Sequence, residues 1–163
     1  MTVRRFFRDI FPVICWLGVI FFLSTDNGSA EHTNSFLDEH LRLWFGGVIA
    51  HLTADQLDTL HYCVRKAAHL TEYLILAVLL VRAIARGRAG ARPPRAAVLA
   101  WCFATVYAMT DEFHQRFVSS RTPKVTDVMI DSVGALLGVA LVASILFLRR
   151  KAQARKFAAA LGG

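Results

Sequence analysis

Apolar residues along the chain collect into four runs, over 6–23, 69–85, 96–110 and 128–148, separated by segments rich in charge, Gly and Pro. Each run approaches the length a helix needs to cross a hydrocarbon core of about 30 Å. With the polar turns at their ends included, the pattern predicts an all-α, integral membrane four-helix bundle with spans of about 6–23, 66–85, 96–112 and 127–148. Pro12 falls early in the first span, where a membrane helix tolerates a kink if a neighbour satisfies the freed carbonyl. Arg4, Arg5 and Arg8 before an apolar run also allow a signal-peptide reading, but a Phe-rich run of this length is long for a cleaved segment.

Between the spans the polar positions carry a phase. In 36–48, Phe36, Leu37, Leu41, Trp44, Phe45 and Val48 share a face opposite Asp38, Glu39 and Arg42. That spacing predicts a short amphipathic helix in the first outer loop, lying on the interface or packed as an ordinary loop helix. Thr53-Ala-Asp-Gln56 has the form of a capping box, and nothing breaks a helix from there until Gly87. At about 100° per residue, Asp58, His61, Arg65, His69 and Glu72 form one stripe, flanked by Lys66 and Tyr73. The stripe turns apolar below Glu72, so its polar part occupies only one half of the helix. In the third span Tyr107, Asp111, His114 and Gln115 share a face, while Glu112 points about 100° away, so both acids cannot face one centre and one of them is expected to serve the loop or to support the groups around that centre. The fourth opens with Asp127 and Asp131, one turn apart and in phase with Gly134 and Gly138. A small-xxx-small seam of this kind aims the two carboxylates at a neighbouring helix.

The chain is 55% apolar and carries a net charge of +7. Its distribution rejects a nucleic-acid partner. Thirteen of nineteen basic residues, with Asp9 as the sole acid, fall in three segments: from the start of the chain through Asp9 in the first turn of span one, from Arg82 near the end of span two to Arg95, and after span four. Those segments sum to +12 against −5 for the remainder. By the positive-inside rule both termini are cytoplasmic and the His69 end faces outward. Cys15, Cys63 and Cys102 make an odd count, so no disulfide framework is implied and packing is the expected role. His32, His40, His51 and His61 are expected to be solvated, with His61 the one worth testing.

Lys66-x-x-His69-x-x-Glu72-Tyr73, then Asp111-Glu-x-His114-Gln115-x-Phe117, then Arg121, Asp127 and Gly134-x-x-x-Gly138 resemble the VanZ-like membrane proteins. The motifs run in order from about residue 62 to 148; at Asp131 the family more often carries Asn. The resemblance implies a single VanZ-like domain over 1–163 in the bacterial cytoplasmic (inner) membrane, with four helices. It also implies a place in the cell envelope, the family being named for a member linked to low-level teicoplanin resistance.

His69, Glu72, Asp111, Glu112, His114, Asp127 and Asp131 lie at one depth, and ionisable groups there usually face one another or a wet cavity. Three readings stand open. In the first the protein is an enzyme whose catalytic residues are His69, Glu72, Asp111, His114 and Asp127. These five with Asp131 could hold a divalent metal, or a histidine beside a carboxylate could act as general base. Lys66, Tyr73, Gln115 and Arg121 would contact a phosphorylated or lipid-linked envelope precursor. In the second the pocket binds or transports an anionic envelope lipid, with Lys66, Arg65 and Arg121 gripping its head group while the buried carboxylates and histidines respond to protons. In the third the cluster only ties the helices together. Membrane lipids are the expected partners, with a homo-oligomer through helix four as a further expectation.

Overall fold

The computed structural model describes residues 3–25, 39, 43, 46–47, 51–87, 93–119 and 123–161. Among them, regular structure is helical throughout: α1 (Val3–Ser24), α2 (Ala54–Gly87), α3 (Pro93–Gln115) and α4 (Val125–Leu161). The α1, α2 and α4 helices are each long and apolar enough to cross a membrane. The α3 helix packs in the same bundle but holds no equally apolar stretch of that length, because Pro93, Pro94 and Arg95 occupy its start and Asp111, Glu112 and His114 its last turns. The amphipathic helix expected over 36–48 lies almost wholly outside the described residues, as do Arg121, His32 and His40.

Helix boundaries follow local chemistry. Thr53 and Gln56 close the capping box: the Thr53 N–H donates to Gln56 Oε1 at 2.9 Å and the Gln56 N–H to Thr53 Oγ1 at 3.4 Å. The α3 helix opens on Pro93 and Pro94, in the first turn, where a missing N–H removes no intrahelical bond. The α4 helix runs past the predicted end at 148 to Leu161. In α1, Phe6–Ile10 forms a π-helical turn, and the Phe11 N–H reaches back to the Phe6 carbonyl. Pro12 cannot bond the Arg8 carbonyl four residues earlier. Arg82 of α2 donates to that carbonyl instead, supplying the neighbour that the proline requires.

The α2 and α4 helices run in the same direction and make the most extensive helix contact. Gly134 and Gly138 explain how: a Cβ at either would overlap the carbonyl oxygen of Leu70 or Leu74. Backbone cannot give way as a side-chain tip can. The α3 helix applies the same device with alanine, since Ala96, Ala100, Ala104 and Ala108 recur every fourth residue and are wholly buried. Tyr73, Leu76, Ala77, Leu80 and Val81 of α2 fill the centre, with Val13 and Ile20 of α1 against them. Two bonds tie α1 to its neighbours at mid-depth: Trp16 Nε1 donates to the Glu72 carbonyl and the Tyr107 hydroxyl to the Leu17 carbonyl, both at 2.9 Å.

Large apolar side chains such as Phe11, Phe103, Leu137 and Phe147 point outward. An interior of small and polar residues inside an apolar exterior suits a chain solvated by lipid. Cys15, Cys63 and Cys102 lie on that exterior, which corrects the expectation that they pack. His61, grouped with the solvated histidines, is buried.

Candidate functional site

The glycine seam builds the site by drawing the first turns of α4 onto α2. Because the two helices run parallel, residues pair in register. Lys66 forms an ion pair with Asp127, and one turn deeper His69 Nδ1 lies 3.4 Å from Asp131 Oδ1. Asp131 is 0% exposed, and the His69 side chain is 13% exposed. One further turn down, Tyr73 is wholly buried with its ring 6.5 Å from that of Tyr107. Tyr73 and Leu76 therefore close the bottom at the level just below Glu72 where the polar stripe turns apolar.

The end of α3 supplies the other wall. Its alanine seam continues between Asp111 and Glu112, so both acids are buried although they diverge. Gln115 Nε2 donates to Asp111 Oδ2 at 3.1 Å, and the Ser24 hydroxyl closes on the same carboxylate without good hydrogen-bond geometry. Glu112 Oε2 accepts the Lys124 backbone N–H at 2.8 Å, so of the two acids Glu112 is the one that serves the loop. His114 turns toward α1 and stacks on Phe21, with centroids 4.7 Å apart and planes 13° from parallel.

The predicted residues thus divide into pairs. Lys66 meets Asp127, His69 meets Asp131, and Asp111 meets Gln115; His114 faces α1, and Arg121 is outside the described residues. Among the described residues no three His, Cys, Asp or Glu side chains gather as a metal-binding group. The six donors named for a metal, His69, Glu72, Asp111, His114, Asp127 and Asp131, do not fit around one ion as they stand.

Several polar atoms in this region are buried without a hydrogen-bond partner: both oxygens of Asp131, His69 Nδ1, the Tyr73 hydroxyl, Glu112 Oε1 and His114 Nε2. Each such group costs about 1–3 kcal/mol of unrecovered desolvation.

The opposite end of the bundle holds a charge cluster that the sequence reading passed over. Asp9 is 2% exposed and takes hydrogen bonds from Arg8 Nη2 at 2.9 Å, Arg8 Nε at 3.1 Å and Arg86 Nη1 at 3.1 Å. Its visible signal was a lone acid among thirteen bases. The alanine seam of α3 was also passed over, and its four-residue spacing was the clue.

No curated protein and no solved structure matches the chain. The VanZ/LLP1 family model matches residues 7–148, which reaches back through α1, well before the motifs that begin near residue 62. The three motifs on α2, α3 and α4 that build the paired site fall inside that match, and the chain belongs to the VanZ/LLP1 family.

Proposed function

We propose that the chain is a multi-pass protein of the bacterial cytoplasmic membrane, with cytoplasmic termini and its His69 site open to the outer side. There it performs acid–base chemistry on a phosphorylated or lipid-linked envelope substrate. The observation that carries this reading is His69 Nδ1 at 3.4 Å from the fully buried Asp131 carboxylate. A carboxylate beside Nδ1 selects the tautomer that leaves Nε2 as the proton acceptor. His69 then takes a proton from water as its oxygen attacks phosphorus. The bond from phosphorus to the leaving oxygen breaks, the released group takes up a proton from solvent, and His69 gives its own proton back to solvent, which restores the base. Asp111, Gln115 and Tyr73 border the reaction space, with Lys66 and Arg121 at its rim; no step passes through a metal.

Binding or transport of an anionic lipid would need rim cations free to grip a head group. Asp127 already matches the charge of Lys66, which favours chemistry over simple capture.

The test pairs a polyprenyl pyrophosphate probe, with phosphate release as readout, with teicoplanin susceptibility of cells carrying each variant. His69→Ala is expected to lose about 100-fold in turnover, the contribution of a general base. Cells that keep the wild-type phenotype with His69→Ala would overturn the reading, whatever the substrate.

A further inference from the structure

We propose a second ligand site, at the end of the bundle opposite His69, where paired arginines of α1 and α2 bind the phosphodiester of an anionic phospholipid. It does not rest on the His69 chemistry. The buried Asp9 carboxylate accepts from Arg8 Nε and Nη2 and from Arg86 Nη1, which holds two guanidinium groups side by side around one acid. Both arginine side chains stay about half exposed, and Arg8 Nη1 and Arg86 Nη2 have no hydrogen-bond partner among the described residues. The fold thus satisfies the carboxylate and leaves the remaining donors of its two arginines to an outside acceptor. A guanidinium presents its N–H groups in a planar fork that matches the oxygens of a phosphate.

Charge around the pair sets what can bind. Arg82 Nη2 donates to the Arg8 carbonyl, and Arg5 Nη2 lies 3.0 Å from the point where a Cβ on Gly87 would stand. Four guanidinium groups therefore gather near one carboxylate, a surplus of three positive charges, and Asp9 is the sole acid in the chain segments at this end. A zwitterionic lipid would bring its ammonium to a cluster whose carboxylate is already covered. An anionic head group brings only the charge that the cluster lacks. Phe7 and Phe11, with ring centroids 5.6 Å apart, are exposed and continue the site from Arg8 along the outside of α1. Acyl chains lie against such a surface, so the phosphate that fits is a lipid's.

Delipidated full-length protein in detergent is mixed with equimolar phosphatidylglycerol and phosphatidylethanolamine of identical chains, and bound lipid is read by native mass spectrometry. The expected ratio favours phosphatidylglycerol by about fivefold, the value of one basic residue near an anionic surface. Arg8→Gln and Arg86→Gln each leave Asp9 one arginine, so both variants keep the fold, and each brings the ratio close to one. Joint Arg149→Gln and Arg150→Gln substitution removes two exposed charges from the same end of the bundle, outside the Asp9 cluster, and keeps the wild-type ratio. A wild-type ratio near one overturns the proposal, as does a ratio unmoved by the Arg8 and Arg86 variants. An equal fall in the Arg149 and Arg150 double variant also overturns it, because a general field and not a site would then select the lipid. Displacement of bound phosphatidylglycerol by inorganic phosphate at matching concentration overturns the lipid assignment.

Discussion

Asp9 and Asp131 are both buried carboxylates on membrane helices, and they are built to opposite ends. Asp9 is covered by the two guanidinium groups that bond it, and those arginine side chains are themselves 53% and 49% exposed. It is a shallow site whose charges are screened by the surface they occupy. Asp131 lies under a helix crossing, is 0% exposed, and faces His69 with neither oxygen in a completed hydrogen bond. Where the fold needs only to fasten α1 to α2, it satisfies the carboxylate completely. At depth the ionisable group that meets the carboxylate is the His69 imidazole, at 3.4 Å, and the proposed function rests on that pair.

Gly134→Val is the harshest way to break this comparison. A side chain there drives into the Leu70 carbonyl, parts α4 from α2 and separates His69 from Asp131. The expected loss is about 3 kcal/mol, at the upper end for overpacking, together with the cellular phenotype. Thermal unfolding in detergent measures the first part. A variant that unfolds at the wild-type midpoint would show that the seam is not what sets the site.

The two acids are next exchanged for apolar residues of similar size. Asp131→Leu is expected to hold or raise the unfolding midpoint, because it removes an incompletely paired buried charge, while function falls by about 100-fold. Asp131→Asn, the residue that VanZ-like proteins more often carry, retains an oxygen for the His69 N–H and most of the function. Asp9→Leu leaves Arg8 and Arg86 without a partner, so it lowers the midpoint and leaves function unchanged. Matching effects from the two leucine variants would dissolve the distinction between them.

Much of this was legible along the chain because membrane helices advertise their phase. The capping box and Gly87 bounded α2, the glycines announced a close crossing, and the angle between Asp111 and Glu112 showed that the two acids would part, though not which would serve the loop. Pairing was not legible. Whether Lys66 meets Asp127 or Asp131 depends on the rotation and offset of two helices that are distant in sequence, and phase fixes neither. Alanine hid the α3 seam because it counts as generic apolar residue in a hydropathy run, though at a helix crossing its small size is what matters. Asp9 disappeared into a charge sum, where one acid among many bases changes little, while its neighbours in space were what gave it a role.

The smallest effect separates fastening from function where the two lie closest. Trp16 belongs to α1, yet its indole N–H bonds the backbone carbonyl of Glu72, inside the polar stripe. If α1 only braces the bundle, Trp16→Phe removes one neutral hydrogen bond while keeping an aromatic ring in place. The expected loss is then about 1 kcal/mol of stability with no change in function. If function falls further than stability does, α1 sets the position of Glu72 within the site, and fastening and function cannot be separated as Asp9 and Asp131 suggest. Unfolding midpoints and cellular phenotype measured on the same variant decide between these outcomes, with Tyr107→Phe as the matched control. Its hydroxyl bonds the Leu17 carbonyl at the same 2.9 Å but anchors α1 through α3, away from Glu72.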